Sequence, residues 1–255
     1  MNELKSKIID VNQDNIKDFP QTICFINPKH KCYHLKIDWL KKRFKEGLKI
    51  KLLFLENEKK PVGFIEYVPG EYCWRAVDAK GYMFIHCLWI NGNKFRGKGL
   101  GKKLIGEVEK DSENMNGVAV ITSDNPFMVK KDLFLKNGYT IVDEYGKEQL
   151  LVKQFKKKCA LPAINKLAKF ENSSGLKIIY SKQCPWVARF IEEIKSYLEK
   201  EKIDIEIKEL KTAKDAQNAP STYSAFNLIY NNKILADRYI SLSRFKNILK
   251  KEIKK

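Results

Sequence analysis

The sequence predicts an α/β chain in two parts: a mixed-sheet α+β domain over residues 1–155 and a smaller α/β domain over residues 176–255. Three observations point there. Strand-like and helix-like segments alternate through the first part, around one hairpin. A polar, basic stretch then runs from Lys156-Lys157-Lys158 to Asn172-Ser173-Ser174-Gly175 and reads as a linker over 156–175. A strand–helix–strand pattern starts afresh at Leu176, followed by strand, strand and helix. The length of 255 residues suits one or two domains.

The first strand is predicted at Lys7–Val11. A helix follows at about Ile37–Glu46, where Leu40 and Phe44 repeat at i+4 and Gly47 ends the pattern. Leu52–Glu56 and Pro61–Val68 form a hairpin about Glu58-Lys59-Lys60, and Pro69-Gly70 breaks the chain. Tyr82–Ile90 is the next strand. A glycine loop leads into a helix at about Gly99–Glu113, whose Leu100, Leu104, Ile105 and Val108 share one face. Asn116-Gly117 turns the chain into the β-branched strand Val118–Thr122. Ser123-Asp124-Asn125-Pro126 opens the next segment. A short helix, Val129–Lys136, stops at Asn137-Gly138, and strands Tyr139–Val142 and Gln149–Phe155 close this part. Within the linker, Leu161–Phe170 is compatible with one helix. Beyond it come strand Leu176–Tyr180, helix Pro185–Lys200, strand Ile203–Leu210, the hairpin Phe226–Tyr230 with Lys233–Ala236, and a helix at about Ser241–Lys254.

Composition excludes several classes. The six cysteines are scattered, with no C-x-x-C pair and no zinc-ligand spacing, so reduced thiols in the cytoplasm are expected and no metal site. No apolar run reaches membrane-spanning length, and the N-terminus lacks a signal-like stretch, so no membrane association is expected. The net charge of +18 is spread: residues 176–255 hold 17 basic and 10 acidic side chains, leaving 32 and 21 in residues 1–175. An excess of +7 and +11 without a stripe suits an anionic ligand and a solvated surface rather than a nucleic-acid site.

The glycine loop carries the chemistry. A Walker loop fits Gly92, Gly97 and Lys98, but Gly99 stands where a hydroxyl must hold magnesium. A dinucleotide fingerprint fits Gly97 and Gly99, but Lys102 stands at the third glycine. The pattern R/Q-x-x-G-x-G/A fits Arg96-Gly97-Lys98-Gly99-Leu100-Gly101 at every fixed position, between a strand and a helix. Glycines let the backbone approach phosphate closely, and the first N–H groups of a helix have no intrahelical partner. Lys98, Lys102 and Lys103 add positive charge.

Residues 4–155 thereby resemble the GNAT acetyltransferase superfamily. A second marker supports the resemblance: where the family often reads Tyr-x-x-x-Gly-Phe, this chain reads Phe134-Leu135-Lys136-Asn137-Gly138-Tyr139. The resemblance implies an acetyl-CoA-dependent N-acetyltransferase that passes acetyl directly to a small-molecule or peptide amine. Its cofactor, acetyl-CoA or CoA, would be held by Arg96, Gly97, Lys98, Gly99, Leu100, Gly101 and Lys102. Backbone groups near Leu88, Trp89 and Ile90 would meet the pantetheine arm where the strand splays from its neighbour, with Asn125 across from them. Phe134 occupies the position of the tyrosine that often protonates the departing thiolate. It cannot donate a proton and is expected to be a core aromatic; Tyr139, Tyr145 or water would serve, or no acid is needed. Glu66 and His86 are the candidate bases, because an ammonium must lose a proton before it attacks. Strand alternation points Cys87 away from His86. Glu71, Trp74 and Arg75 are candidate acceptor contacts by position.

The C-terminal part resembles a thioredoxin-like domain of the YoaP type. Ser181-Lys182-Gln183-Cys184-Pro185-Trp186 looks like the strand–loop–helix start, and Ala219-Pro220-Ser221 like the cis-proline site. The second cysteine is absent from Cys184-Pro185-Trp186-Val187, which excludes local dithiol exchange, although a helix N-terminus can acidify a single thiol. The alternatives are a CoA-binding module without turnover and a protein acting through Cys184. Oligomeric state and acceptor identity stay open.

Overall fold

The computed structural model describes residues 5–20, 24, 26–125, 128–165, 167 and 174–253. Its contacts divide the chain into two compact units that are discontinuous in sequence. One holds residues 1–25, 40–73 and 77–164; the other holds 26–39, 74–76 and 165–255.

The first unit is built on a seven-stranded sheet. In chain order its strands are β1 (Ser6–Val11), β2 (Lys49–Leu55), β3 (Gly63–Pro69), β5 (Met83–Ile90), β6 (Gly117–Ser123), β7 (Thr140–Tyr145) and β8 (Glu148–Gln154), and they lie side by side as β1-β2-β3-β5-β6-β8-β7. A short strand β4 (Val77–Asp78) pairs separately with β9 (Ala163–Ile164). β3 and β6 are buried along nearly their whole length, as their apolar runs demand for central strands. Helix α2 (Leu100–Asp111) buries Leu100, Leu104, Ile105 and Val108, the face read from its spacing. These residues join Ile65, Tyr67, Val120 and Phe134 in one core. Helix α3 (Lys131–Leu135) is shorter than its sequence pattern suggests.

Within the seven-stranded sheet every pairing is antiparallel except β5 with β6. That parallel ladder matches Met83, Phe84 and Ile85 with Val118, Ala119 and Val120. Past it, β5 continues to Ile90 against β3, and β6 continues to Ser123 against β8. The sheet therefore forks after Ile85.

The second unit has a four-stranded sheet. Its elements are β10 (Leu176–Tyr180), α4 (Pro185–Glu201), β11 (Glu206–Glu209), α5 (Ala213–Gln217), β12 (Phe226–Tyr230), β13 (Lys233–Ala236) and α6 (Leu242–Glu252). The strand order is β11-β10-β12-β13, with β10 and β11 parallel and the rest antiparallel. Phe190 of α4 packs edge-on to Phe226 at 5.4 Å and Phe245 at 5.6 Å, tying both long helices to the sheet. Pro185 stands in the first turn of α4, where its missing N–H costs nothing.

Other parts of the structure differ from the sequence reading. Helix α1 spans Lys31–Phe44, beginning six residues before the expected start at Ile37. The helix expected over Leu161–Phe170 is replaced at 163–164 by the β9 strand, whose backbone finds partners in β4 and, through Ile164 N, in the Asp143 carboxylate at 2.8 Å. The rest of that stretch lies mostly outside the described residues. Helix α5 went unread although Thr212 and Asp215 form a capping box. Among the described residues no peptide bond is cis, so Ala219–Pro220 is trans. No described helix is long and apolar enough to cross a membrane.

Candidate active site

The fork in the sheet places the candidate bases. Glu66 of β3 and His86 of β5 are both buried, and His86 Nδ1 lies 3.3 Å from Glu66 Oε1. The β3–β5 register pairs Glu66 with Cys87 and Tyr67 with Ile85, so His86 is the extra residue of a bulge. It is also the first β5 residue beyond the parallel pairing with β6. Simple alternation along β5 is interrupted here. The bulge turns the imidazole toward the β3 carboxylate, and Phe84 packs on it edge-on at 6.0 Å.

The glycine loop follows from the end of β5. Gly97 and Gly99 adopt φ of +74° and +76°, a left-handed conformation that a side chain resists. A Cβ at either would meet no protein atom within 4 Å, so the space against both backbones is open. Gly99 caps α2 without a side-chain hydrogen bond, and the first turn opens with Lys103 N donating to Gly99 O at 3.1 Å. An anion can therefore reach the first N–H groups of a 12-residue helix. Gly101 has a different constraint: its Cβ would lie 3.2 Å from Leu133 Cδ2, so this glycine lets α3 approach α2.

The basic residues of the loop separate in space. Arg96 is exposed and its guanidinium stands 6.0 Å from the Trp89 ring. Lys98 and Lys102 are exposed. Lys103 instead donates to Ser6 Oγ at 3.1 Å, away from the role expected of it.

The chain belongs to the acetyltransferase (GNAT) family. The family's pattern matches residues 12–139, just over half of the chain, and spans the fork, the bulge and the glycine loop. As a member it is an acetyltransferase with acetyl-CoA as cofactor. The chain is also 26% identical over 250 residues to the uncharacterized N-acetyltransferase YoaP of Bacillus subtilis, covering 94% of this chain and 97% of that protein. Among solved structures, a GNAT-family acetyltransferase from Staphylococcus aureus Mu50 is 16% identical, with a TM-score of 0.44 over 60% of this chain and all of that one. The acetyltransferase yncA from Salmonella typhimurium, solved with acetyl-CoA, is 13% identical with a TM-score of 0.43, covering 61% and 96%.

Other expected GNAT positions fall as follows. Leu88 is buried, while Trp89 and Ile90 are half-buried on the β5 arm beyond the fork. Asn125 follows the end of β6, where its Nδ2 donates to Ser123 Oγ at 2.8 Å and to Glu148 Oε1 at 3.5 Å. Phe134 is fully buried and packs edge-on against Tyr139 at 5.2 Å. Burial, and then the Glu109 carboxylate, push the Tyr139 phenol far above its usual range. Tyr145 is exposed on the edge strand β7. Glu71 is exposed and accepts from Gly81 N at 2.9 Å.

Trp74 and Arg75 are buried within the second unit instead of lining an open pocket. Arg75 Nη1 donates to Trp74 O and Gln183 Oε1, each at 2.6 Å, and its guanidinium lies 4.5 Å from the Tyr223 ring. Nearby, Cys184 caps α4. Burial pushes its thiol up, outweighing the N–H groups of Val187 and Trp186 and the charges of Lys36 and Arg75. The acidification open to a thiol at a helix N-terminus is outweighed here, because desolvation of a thiolate exceeds what those groups return.

Sequence reasoning missed a set of residues beside the loop. Lys136, Asn137 and Lys153 join Lys102 around a cavity on the face of α2. Asn137 was legible only as a helix stop; no local pattern connects it with Lys153 of β8.

Proposed function

We propose that the chain transfers acetyl from acetyl-CoA to the primary amine of a small molecule or peptide, with Glu66 and His86 as the proton-accepting pair. The observation that carries this reading is their approach to 3.3 Å at the bulge where the sheet forks. The fork is where we place the acetyl-bearing arm, and the open N-terminus of α2 follows β5 in the chain. Acetyl-CoA supplies the electrophilic acetyl carbonyl when bound.

The residues divide the work. With its carboxylate 3.3 Å from His86 Nδ1, Glu66 would favour the proton on that nitrogen and leave Nε2 as the basic atom toward an amine. The buried carboxylate also stabilises the imidazolium that forms. The β5 arm at Leu88–Ile90 has lost β6 as a ladder partner, so backbone N–H groups there can donate to negative charge developing on the acetyl oxygen. Arg96, Lys98 and the N–H groups from Gly97 to Lys102 would hold the pyrophosphate. No acid is assigned from Phe134; the thiolate is a tolerable leaving group that water can protonate.

The second unit reads as a thioredoxin-like domain without dithiol chemistry. Its β-α-β and β-β-α order and the parallel β10–β11 pair beside antiparallel β12 and β13 support this. The single cysteine of the motif and its raised thiol argue for a structural role. A cytoplasmic location fits the reduced, scattered cysteines.

The test is thiol release from acetyl-CoA across a panel of amines. Turnover with an amine that collapses in Glu66→Gln and His86→Ala supports the reading. Parent rates and pH profiles in both variants sink the assignment.

A further inference from the structure

The far arm of the fork carries a second set of polar groups on the sheet face that holds Glu66 and His86. Ile65 and Tyr67 of β3, Val118 and Val120 of β6 and Leu151 of β8 lie in the core with α2. Alternation along each strand therefore turns Glu66, Ser123 and Glu148 to the opposite face. Ser123 is the ladder partner of Glu148, and Glu148 is the ladder partner of Tyr145. Cross-strand partners share a face, so the three form a row across β6, β8 and β7. Glu148 is buried at 6% exposure, while Tyr145 is 54% exposed on the edge strand. Asn125 Nδ2 donates to Ser123 Oγ at 2.8 Å and to Glu148 Oε1 at 3.5 Å, which orients the carboxylate within the row.

A carboxylate beside an aromatic ring suits a cation. A carboxylate accepts up to about four hydrogen bonds, and a ring face attracts an ammonium within about 6 Å. Position sets the ligand. The parallel ladder ends at Ile85 and Val120, with His86 one residue beyond it on β5 and Ser123 three beyond it on β6. Glu148 thus lies about 7 Å further along the strands than His86 and two strand spacings, about 10 Å, to the side. An imidazole and a carboxylate span part of that backbone separation of about 12 Å, leaving about 5–8 Å between their two ligands. Two nitrogens joined by a chain of about three to five carbons have that separation. At long range the net charge of +18 favours an anionic acceptor. On this face Glu66 and Glu148 reverse the local sign.

We propose that Glu148 and Tyr145 hold a second, protonated nitrogen of the acceptor while His86 faces the amine that is acetylated, so that the preferred acceptor is a short diamine. The inference rests on the amine-acetylating reading above, with Glu66 and His86 at the reacting nitrogen.

The test compares kcat/KM for 1,5-diaminopentane, n-hexylamine and 6-aminohexanoate, which share a chain and differ in charge at its far end. After correction for its two identical amines, the diamine is used at least tenfold better than n-hexylamine by the full-length protein. That is the order of one hydrogen bond to a charged group, about 1.5 kcal/mol. 6-Aminohexanoate is used worst. Glu148→Gln brings the diamine-to-hexylamine ratio to within about threefold of one, chiefly by raising KM for the diamine. Tyr145→Leu lowers the ratio roughly two- to fivefold. A parent ratio near one, a preference for 6-aminohexanoate, or a Glu148→Gln variant that keeps the parent ratio overturns the inference and leaves amine acetylation standing. Tyr145→Leu alters an exposed side chain, so it reads the seat even where Glu148→Gln does not fold; an unchanged ratio there also overturns the inference. Absence of thiol release with these three and with a wider amine panel overturns the acetyl-transfer reading, and this inference with it.

Discussion

Lys51 and Asp111 approach to 3.5 Å across the interface between β2 and α2, and they anchor a network around the buried Lys51 side chain. Lys51 Nζ also meets Asp10 at 2.9 Å and Glu107 at 3.2 Å, while the Tyr67 hydroxyl donates to Asp111 at 2.7 Å. One cation thus stitches β1, β2 and α2, the helix that bears the glycine loop. Lys51→Met leaves three carboxylates around an apolar side chain and is expected to destabilise the protein by about 3 kcal/mol in urea unfolding.

The same network sets an acid limit. Burial works to raise the Asp111 pKa, but hydrogen bonds from Tyr67 and Lys49 and the charges of Lys51 and Lys49 hold it below the ordinary carboxylate value. A carboxylate with a depressed folded pKa adds stability above its unfolded pKa, about 4. That stability is lost as pH falls through the folded value. Asp111→Asn should therefore lower the melting temperature at pH 7 and weaken its fall on acidification. An unchanged acid limb in the variant would show that Asp111 does not carry it.

Glu66 and His86 make a pair whose loss should cost rate more than affinity. Glu66→Gln and His86→Ala are each expected to lower kcat by roughly a hundredfold or more, with CoA affinity kept. The acidic limb of the pH–rate profile should move as well, because that is the side on which a proton-accepting group is lost to protonation. Steady-state kinetics over a pH series with one accepted amine decides this.

Two glycines of the same helix region should respond with opposite sign. Gly99→Ala forces a side chain into φ of +76° and into the space an anion would use. It is expected to cost about 1 kcal/mol of stability and to weaken CoA binding several-fold. Gly106→Ala, mid-helix and unobstructed, should stabilise by about 0.5–1 kcal/mol. Thermal melts with and without CoA separate the two effects.

Cys184 should behave as an unreactive thiol near neutrality. Since burial pushes its pKa up, alkylation by iodoacetamide should be slower than for a small thiol at pH 7 and should accelerate only in alkaline solution. Mass mapping of the labelled peptide against Cys184→Ser checks it. Rapid labelling of Cys184 at pH 7 would restore the single-thiol reading.

Much of the fold was legible where the signal is local. The hairpin Phe226–Tyr230 with Lys233–Ala236 matches residue for residue, because two strands and an Asn231-Asn232 turn declare themselves over eleven positions. The α2 face was legible for the same reason. Helix α1 was placed late because its first turns hold Cys32, Tyr33 and Lys36, which are buried by tertiary packing and not by an apolar repeat. The Leu161–Phe170 segment was misread because β9 is a strand only by virtue of β4, far away in sequence.

The site divides along the same line. By itself the sequence determined the loop that we propose as the anion cradle: six consecutive residues place glycines, a basic side chain and a helix start within one turn, and neighbours in the chain are neighbours in space. It also named Glu66 and His86, but as separate candidates with bland alternatives. Only the tertiary structure brought them to 3.3 Å, through a one-residue bulge that strand periodicity cannot reveal. It alone assembled Lys102, Lys136 and Lys153 around one cavity, and it alone set the Cys184 thiol above its ordinary value. Desolvation and register depend on which distant segments cover a residue, and that is fixed when the sheet and helices pack.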